Sequence, residues 1–410
     1  MGTPQGGIIS PLLANVYLHD FDKFIASYWE EHPEIAKYKD KWKFFTVKTR
    51  PKYRADYPRY YVVRYADDWV IFTDSEENAI KMRELAKRFP ERNGKLQLSD
   101  EKTLITDVRT NHLQFLGVET RVRKSKKGKG LVTYSKPSSK AATAKLTSQA
   151  KRIAKAYHRD KTIQEINRYN SMVIGIGNYW SMTSTVTKYG SRVDHFLWYK
   201  LDKVFMKLTG TKLGEWNKRK IEAESTHNLP VRHHNHKTKV PYLEYEGCKI
   251  GITMLAFSTF QAPKPKIPAE TLYSIEGRKI YTNRTNKRLR LARPDEITLL
   301  DNLIDRVHTS KRTKGKSHYN FEYWMNRGYT LNRDKCECKV CKEFLYSGNL
   351  HTHHKNRFLP LDRINKVSNL VSLCTDCHNN VHNSYQNPFK KESKEYKKLE
   401  SYRKLVEKVS

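Results

Sequence analysis

Two cysteine pairs, Cys338-x2-Cys341 and Cys374-x2-Cys377, constrain the fold of this chain more than any other feature. Each pair has the spacing of a metal knuckle, and together they offer four thiolates to one tetrahedral zinc ion. Five of the 6 cysteines lie between Cys336 and Cys377. In an intracellular chain such crowding speaks for structural zinc rather than disulfides. Cys336 competes with Cys338 for its place, although two intervening residues suit a knuckle better than four. Cys248, far from the rest, reads as a small buried residue.

Histidines fill the space around the knuckles: His353-His354 between them, then Cys377-His378-Asn379-Asn380-Val381-His382. A helix starting near Thr375 would put His378 and His382, four apart, on one face as ligands of a single ion. A histidine tandem in a short strand with a second pair on a helix exceeds what one structural zinc requires.

The chain has 410 residues, enough for two to four domains, and its 78 Lys+Arg against 43 Asp+Glu give a formal charge of +35. An excess of that size points to a polyanionic partner, and the usual one is nucleic acid. The start, Met1-Gly2-Thr3-Pro4-Gln5, lacks the basic-then-apolar order of a signal peptide, and no apolar run reaches spanning length. The reading is therefore a soluble intracellular protein with no membrane partner.

Near the N-terminus, Tyr65-Ala66-Asp67-Asp68 sits between the β-branched and aromatic runs Tyr60–Arg64 and Trp69–Phe72, a pattern for paired strands with an acidic pair at the bend. Adjacent carboxylates repel one another unless a divalent cation neutralises them, and magnesium prefers such oxygen ligands. Upstream, the Gly-rich loop Gly2-Thr3-Pro4-Gln5-Gly6-Gly7 leads into a helix with Ser10 as N-cap, Pro11 in its first turn, and Leu12, Leu13, Val16, Tyr17, Phe21 and Phe24 at helical spacing. Downstream, Glu77–Phe89 reads as a helix with Met82, Leu85, Ala86 and Phe89 on one face and Asp74 or Ser75 at its start. Thr162-Ile163-Gln164-Glu165 reads as a capping box opening a further helix, on which Gly175 and Gly177 permit close approach of a neighbour. The segment Arg121–Lys161 carries fourteen Lys+Arg against one acid, Asp160. Taken alone it is either a solvated basic connection or a phosphate-binding run.

The loop and helix from Gly2 to Leu18, the Tyr65-Ala66-Asp67-Asp68 hairpin, Leu96–Thr103 and Phe115-Leu116-Gly117-Val118 together resemble the palm of group II intron reverse transcriptases. The resemblance implies magnesium at Asp67 and Asp68 once the palm is complete. It also implies nucleic-acid contact by Gln5 and Gly6, primer support by Leu116 and Gly117, and RNA contact by the basic run that includes Lys126 and Lys127. In this family the principal metal-binding carboxylate and the fingers precede the Gly-Thr-Pro-Gln-Gly segment. None of Asp20, Asp22, Asp40 or Asp56 is placed like that ligand, so the expectation is a chain that does not polymerise DNA alone and that a separate fingers segment could complete.

Ile174–Trp180 and Phe196–Leu208 are similar to the family's maturase thumb, which grips intron RNA. His353-His354, Asn369, His378 and His382 within the cysteine frame resemble an HNH endonuclease of the ββα-metal type. That likeness implies His354 as general base, His353, His378 and His382 facing a divalent ion such as Mg2+, and Asn369 orienting the loop that holds the base.

The expected architecture is an α+β multidomain chain. It comprises a partial reverse-transcriptase palm of antiparallel sheet plus helices (1–120), a basic connection and α-helical maturase/thumb domain (121–228), a basic linker or DNA-binding region (229–330), and a small ββα-metal HNH zinc-knuckle domain with a basic tail (331–410). His233-His234-Asn235-His236 and Gln261–Pro268 fall in the linker, with basic tracts at Arg284–Arg293 and Lys311–Lys316. The implied function is binding of intron RNA to assist splicing together with metal-dependent nicking of double-stranded target DNA. A non-catalytic RNA-binding splicing factor or a decayed remnant are the alternatives, and dimerisation is left open.

Overall fold

The computed structural model describes residues 10–29, 58–94, 97–125, 130–262, 274–285, 318–345, 348–383 and 386–407, together with single residues between them. The expected contact residues Gln5, Gly6, Lys126 and Lys127, the acids Asp40 and Asp56, and the tract Lys311–Lys316 lie outside these. The fold is a mixture of helices and small antiparallel sheets, as expected for α+β, and gathers into two compact units.

The first unit spans Met1–Ser138 with Thr183–Thr185. Helices α1 (Ser10–Tyr17) and α2 (His19–Ser27) precede the hairpin of β1 (Tyr61–Tyr65) and β2 (Asp68–Phe72), which pair antiparallel with Tyr65 opposite Asp68. The bend is thus only Ala66-Asp67, and Ala66 takes a left-handed φ of 54° to make it. Phe21 and Ile25 of α2 meet Tyr60 and the Met82 and Ala86 face of α3 (Glu76–Gly94) in a small core. Ser75 caps α3 by accepting the Asn78 N–H at 3.2 Å. The helix runs beyond its expected end at Phe89 and through Pro90, held by the Phe89 ring stacked on Phe24 at 4.4 Å.

Strands β3 (Leu113–Phe115), β4 (Val118–Lys124) and β5 (Leu131–Pro137) form a meander in that order. Leu116 (φ 48°) and Gly117 (φ 70°) are the two-residue turn between β3 and β4, a position that calls for positive φ at both residues. The segment read as a basic connection is therefore ordered over β4, β5 and the helix that follows. The residues of β4 from Val118 to Val122 are all half-buried, and the exposed Arg123 beyond them lies 4.3 Å from the Tyr134 ring.

The second unit spans Ser139–Met182 and Val186–Ser410. Its larger core joins α4 (Ser139–Ala154), α5 (Arg159–Trp180) and α6 (Val186–Thr209) through side chains such as Leu146, Ile153, Ile166, Val173, Leu197 and Phe205. Helix α5 begins at Arg159, so the expected capping box lies inside it. Thr162 donates back to His158 O at 3.0 Å, and Glu165 is buried against Gln149, Arg152 and Arg168 rather than reaching the helix start. Of the two glycines expected to permit close approach only Gly177 does so, since a Cβ there would fall 2.1 Å from Ser258 Oγ while one at Gly175 meets nothing within 4 Å. Gly190 on α6 is also packed closely, its Cβ position lying 2.8 Å from the Leu255 main chain.

Residues expected as the start of a linker are instead folded onto this core. Short strands β6 (Ile221–Glu222) and β7 (Lys239–Val240) pair, as do β8 (Tyr242–Tyr245) and β9 (Cys248–Gly251), placing Ile250 and the buried Cys248 against the helices. His233 is 0% exposed, with Nδ1 2.7 Å from Thr226 Oγ1. Burial, with Arg232 and His236 nearby, pushes its pKa down to about 4. The unfolded ring protonates near 6.5. The stabilisation from keeping the ring neutral is therefore complete above pH 6.5 and is lost as pH falls toward 4, about 3 kcal/mol in all. Urea midpoints measured over that range should fall for the native chain and fall less for His233→Gln.

Helix α7 (Ile275–Thr285) comes next, and α8 (Phe321–Arg333) opens the C-terminal module. Helix α8 serves two cores. Phe321 and Met325 pack into the three-helix core and Leu331 into the module's own. The module pairs β10 (Leu350–His354) antiparallel with β11 (Leu370–Cys374), continues into α9 (Thr375–His382), and is covered by α10 (Lys394–Glu407) through Leu399 and Tyr402. Among the described residues no helix is long and apolar enough to cross a membrane.

Candidate metal centres

Two groups of ligand atoms converge in the C-terminal module, each with all its atoms within 4.8 Å of one another: Cys338, Cys341, Cys374 and Cys377, and His353, His378 and His382. The first is built from a turn and a strand-to-helix junction. Lys342, at a left-handed φ of 67°, lets the chain turn back after Cys338–Cys341, with its N–H on Cys338 O. Cys374 ends β11 and caps α9, its sulfur accepting the Cys377 N–H at 3.5 Å. Sγ atoms on a tetrahedral zinc stand about 3.8 Å apart for Zn–S bonds of about 2.3 Å. Cys341 and Cys374 are at 3.6 Å, so the donor set fits such an ion. A hydrogen bond from Cys377 brings the Cys338 thiol down to about 5, whereas burial pushes Cys374 up to about 12, with the Cys338 charge adding to it. Four crowded sulfurs cannot all ionise without a cation among them. Cys336, buried at φ 54°, lies outside the group.

The second group is assembled by β10 and α9. His353 points inward from β10, only 5% exposed, and its Nε2 is buried with no hydrogen-bond partner. His378 and His382 lie one turn apart on α9, their rings 5.5 and 5.0 Å from that of His353. Burial and neighbouring rings lower the pKa of His353 to about 3 and of His378 to about 4, and burial lowers that of His382. Three neutral imidazoles facing one another around an orphaned buried nitrogen are a donor set suited to a divalent transition metal or a similar ion. His351, not anticipated from spacing, stacks on His378 at 4.5 Å.

His354 emerges beside this group in a cleft of about 600 Å³ that His353, His378, His382, Lys355, Arg357 and His318 also line. The Asn369 side chain is bonded to the loop that follows His354. That side chain donates to Asn356 O and Ile364 O at 2.9 and 2.8 Å and accepts the Asn356 N–H at 3.0 Å, closing the connection between β10 and β11. The direct partner of His354 is Asn365, at 2.8 Å. No sequence spacing marks Asn365, which gains its place only through contacts with residues ahead of and within α8.

In the first unit Asp67 and Asp68 are both exposed at the hairpin. Arg64 clamps the hairpin to α2 through a two-pronged pair with Asp22 (2.8 and 2.6 Å) and also donates to Ala66 O at 2.7 Å. Asp20 shares α2 with Asp22. Among the described residues neither joins the two hairpin acids in a metal-competent group.

Comparison with known proteins agrees with the hairpin. The reverse transcriptase (RNA-dependent DNA polymerase) family model matches residues 1–120. The group II intron-encoded protein LtrA of Lactococcus lactis subsp. cremoris is 35% identical over 158 residues, covering 30% of this chain and 26% of LtrA. Protein YkfC of Escherichia coli K12 is 31% identical over 147 residues, 34% of this chain and 38% of YkfC. An uncharacterized 91 kDa protein in the cob intron of Schizosaccharomyces pombe is 24% identical over 334 residues, 67% of this chain and 39% of that protein. The matches thus span between about a quarter and two fifths of these relatives. With the acidic hairpin in place, residues 1–120 carry a reverse-transcriptase domain, and the chain is similar to the group II intron-encoded reverse transcriptase/maturases.

Proposed function

We propose that the chain nicks double-stranded DNA by metal-dependent hydrolysis at His354, in the manner of an HNH endonuclease, and binds intron RNA through its helical core. The observation that carries the nuclease reading is the convergence of His353, His378 and His382 on one point with His354 opening onto the same cleft. His353, His378 and His382 would hold a divalent ion, which when bound would supply Lewis-acid stabilisation of the charge that develops on the scissile phosphate and the departing 3′ oxygen. His354 takes the proton of the attacking water. Burial lowers the pKa of this ring, so it is available as the neutral base at physiological pH. Lys355 and Arg357 at the rim attract the DNA backbone. Cys338, Cys341, Cys374 and Cys377 would hold a zinc ion that fixes the junction of β11 and α9, and so two of the three metal-facing histidines.

For RNA, the supporting observation is on α6, where Arg192 lies over Tyr189, Lys200 over Phe196 and Lys203 over Tyr199, at 5.0, 4.6 and 4.3 Å. Phe196 and Tyr199 are 55% and 66% exposed. Exposed rings interleaved with cations suit stacking on bases beside phosphate contact.

The nuclease reading is tested with purified chain and supercoiled plasmid. Open circles should accumulate with Mg2+ or a transition metal and stop on chelation. Absence of nicking across a panel of divalent ions would leave the RNA-binding reading alone.

A further inference from the structure

Asn365 is fully buried (0% exposed) at the end of the short turn Leu361–Ile364. Its Nδ2 donates to the main-chain oxygen of His318 at 2.8 Å and to Asn320 Oδ1 at 2.9 Å. Both partners can only accept. The first is a carbonyl, and the second already receives the Tyr323 N–H at 3.1 Å as the cap of α8, which fixes the orientation of the Asn320 amide as well. The Asn365 amide therefore cannot flip: both its hydrogens are committed, and its oxygen is what faces His354 Nε2 at 2.8 Å. An amide oxygen has no hydrogen to give, so Nε2 must carry one, and the lone pair of the neutral ring is on Nδ1. The Asn365 main-chain oxygen accepts from Asn326 Nδ2 at 2.8 Å, which ties the same residue to the body of α8.

We propose that Asn365 is the positioning residue of His354, holding it as the Nε2–H tautomer so that Nδ1 is the atom that receives the water proton. The inference rests on the reading of His354 as the base. In that step the water O–H bond breaks with its proton passing to Nδ1, and the water oxygen bonds to phosphorus. The P–O3′ bond then breaks, and the 3′ oxygen leaves with its electron pair to be protonated from solvent. The HNH-like residues alone do not specify which nitrogen acts. The cap of a helix ahead of them does.

The tautomer can be read directly, with or without a substrate. In the full chain labelled with 15N-histidine, long-range 1H–15N spectra should show His354, assigned by its loss in His354→Gln, with a bare Nδ1 and a protonated, slowly exchanging Nε2. Asn365→Leu should lose that single tautomer and the slow exchange. It should also lower kcat for plasmid nicking on the order of 100-fold with KM for DNA unchanged. Leucine strands two acceptors, so its folding is checked by melting and zinc content, and the wild-type spectrum decides the matter independently of any variant. A wild-type His354 carrying its hydrogen on Nδ1, or a folded Asn365→Leu with full kcat, overturns the proposal. The expected tautomer in a chain that never nicks DNA overturns the nuclease reading and with it the role given to Nδ1, so the two failures are told apart.

Discussion

Replacing Cys374 by serine is expected to unfold the C-terminal module while leaving the helical core of the same unit largely in place. Cys374 is a proposed zinc ligand, the last residue of β11 and the N-cap of α9, so its loss removes the ion and frees the junction it caps. Structural zinc contributes about 10 kcal/mol or more of apparent folding free energy, comparable with the whole stability of a small domain. The checks are zinc stoichiometry, protease resistance of residues 336–407 and thermal melting, beside His378→Ala as the comparison. The histidine variant should lower affinity for the second ion without unfolding the module, whereas a Cys374→Ser chain that melts like the wild type would show that the four sulfurs hold nothing structural.

The second large effect is on catalysis. His354→Ala should lower plasmid nicking by roughly 100- to 10,000-fold, the usual contribution of a positioned general base, at unchanged zinc content and with the module still folded. His354 is at the cleft rather than in the module's apolar core, and the three metal-facing imidazoles do not depend on it. Full-rate nicking by the alanine variant would assign proton removal to another group, His318 at a ring separation of 6.3 Å being one candidate that lines the same cleft.

What could be read before the structure was local. A CxxC pair, two histidines one helical turn apart, or an acidic pair between two β-branched runs each state their geometry within a few residues, and β1–β2 and α9 appear where those spacings put them. Elsewhere the pattern was too short or was masked. Strands of two to four residues such as β7–β9 offer no alternation to detect, so a folded stretch looked like linker. The density of lysine and arginine hid β4 and β5. Glu165 fits the spacing of a capping box, but burial beside Arg152 and Arg168 was the stronger demand on it. Asn365 could not be found at all, because its role comes from residues ahead of α8, more than forty positions away by chain, that meet it only in the fold.

Helix α8 is a rigid phase-setter between two bodies. One stretch of it turns Phe321 and Met325 toward the three-helix core, another sends Leu331 into the C-terminal module, and the polar groups near its start face His354 through Asn365. Each residue of an α-helix advances about 100° around the axis and about 1.5 Å along it. A single insertion or deletion between Met325 and Leu331 would therefore rotate one attachment against the other by more than a quarter turn. Drift in length can be absorbed on either side of this helix, but its interior is held to one spacing.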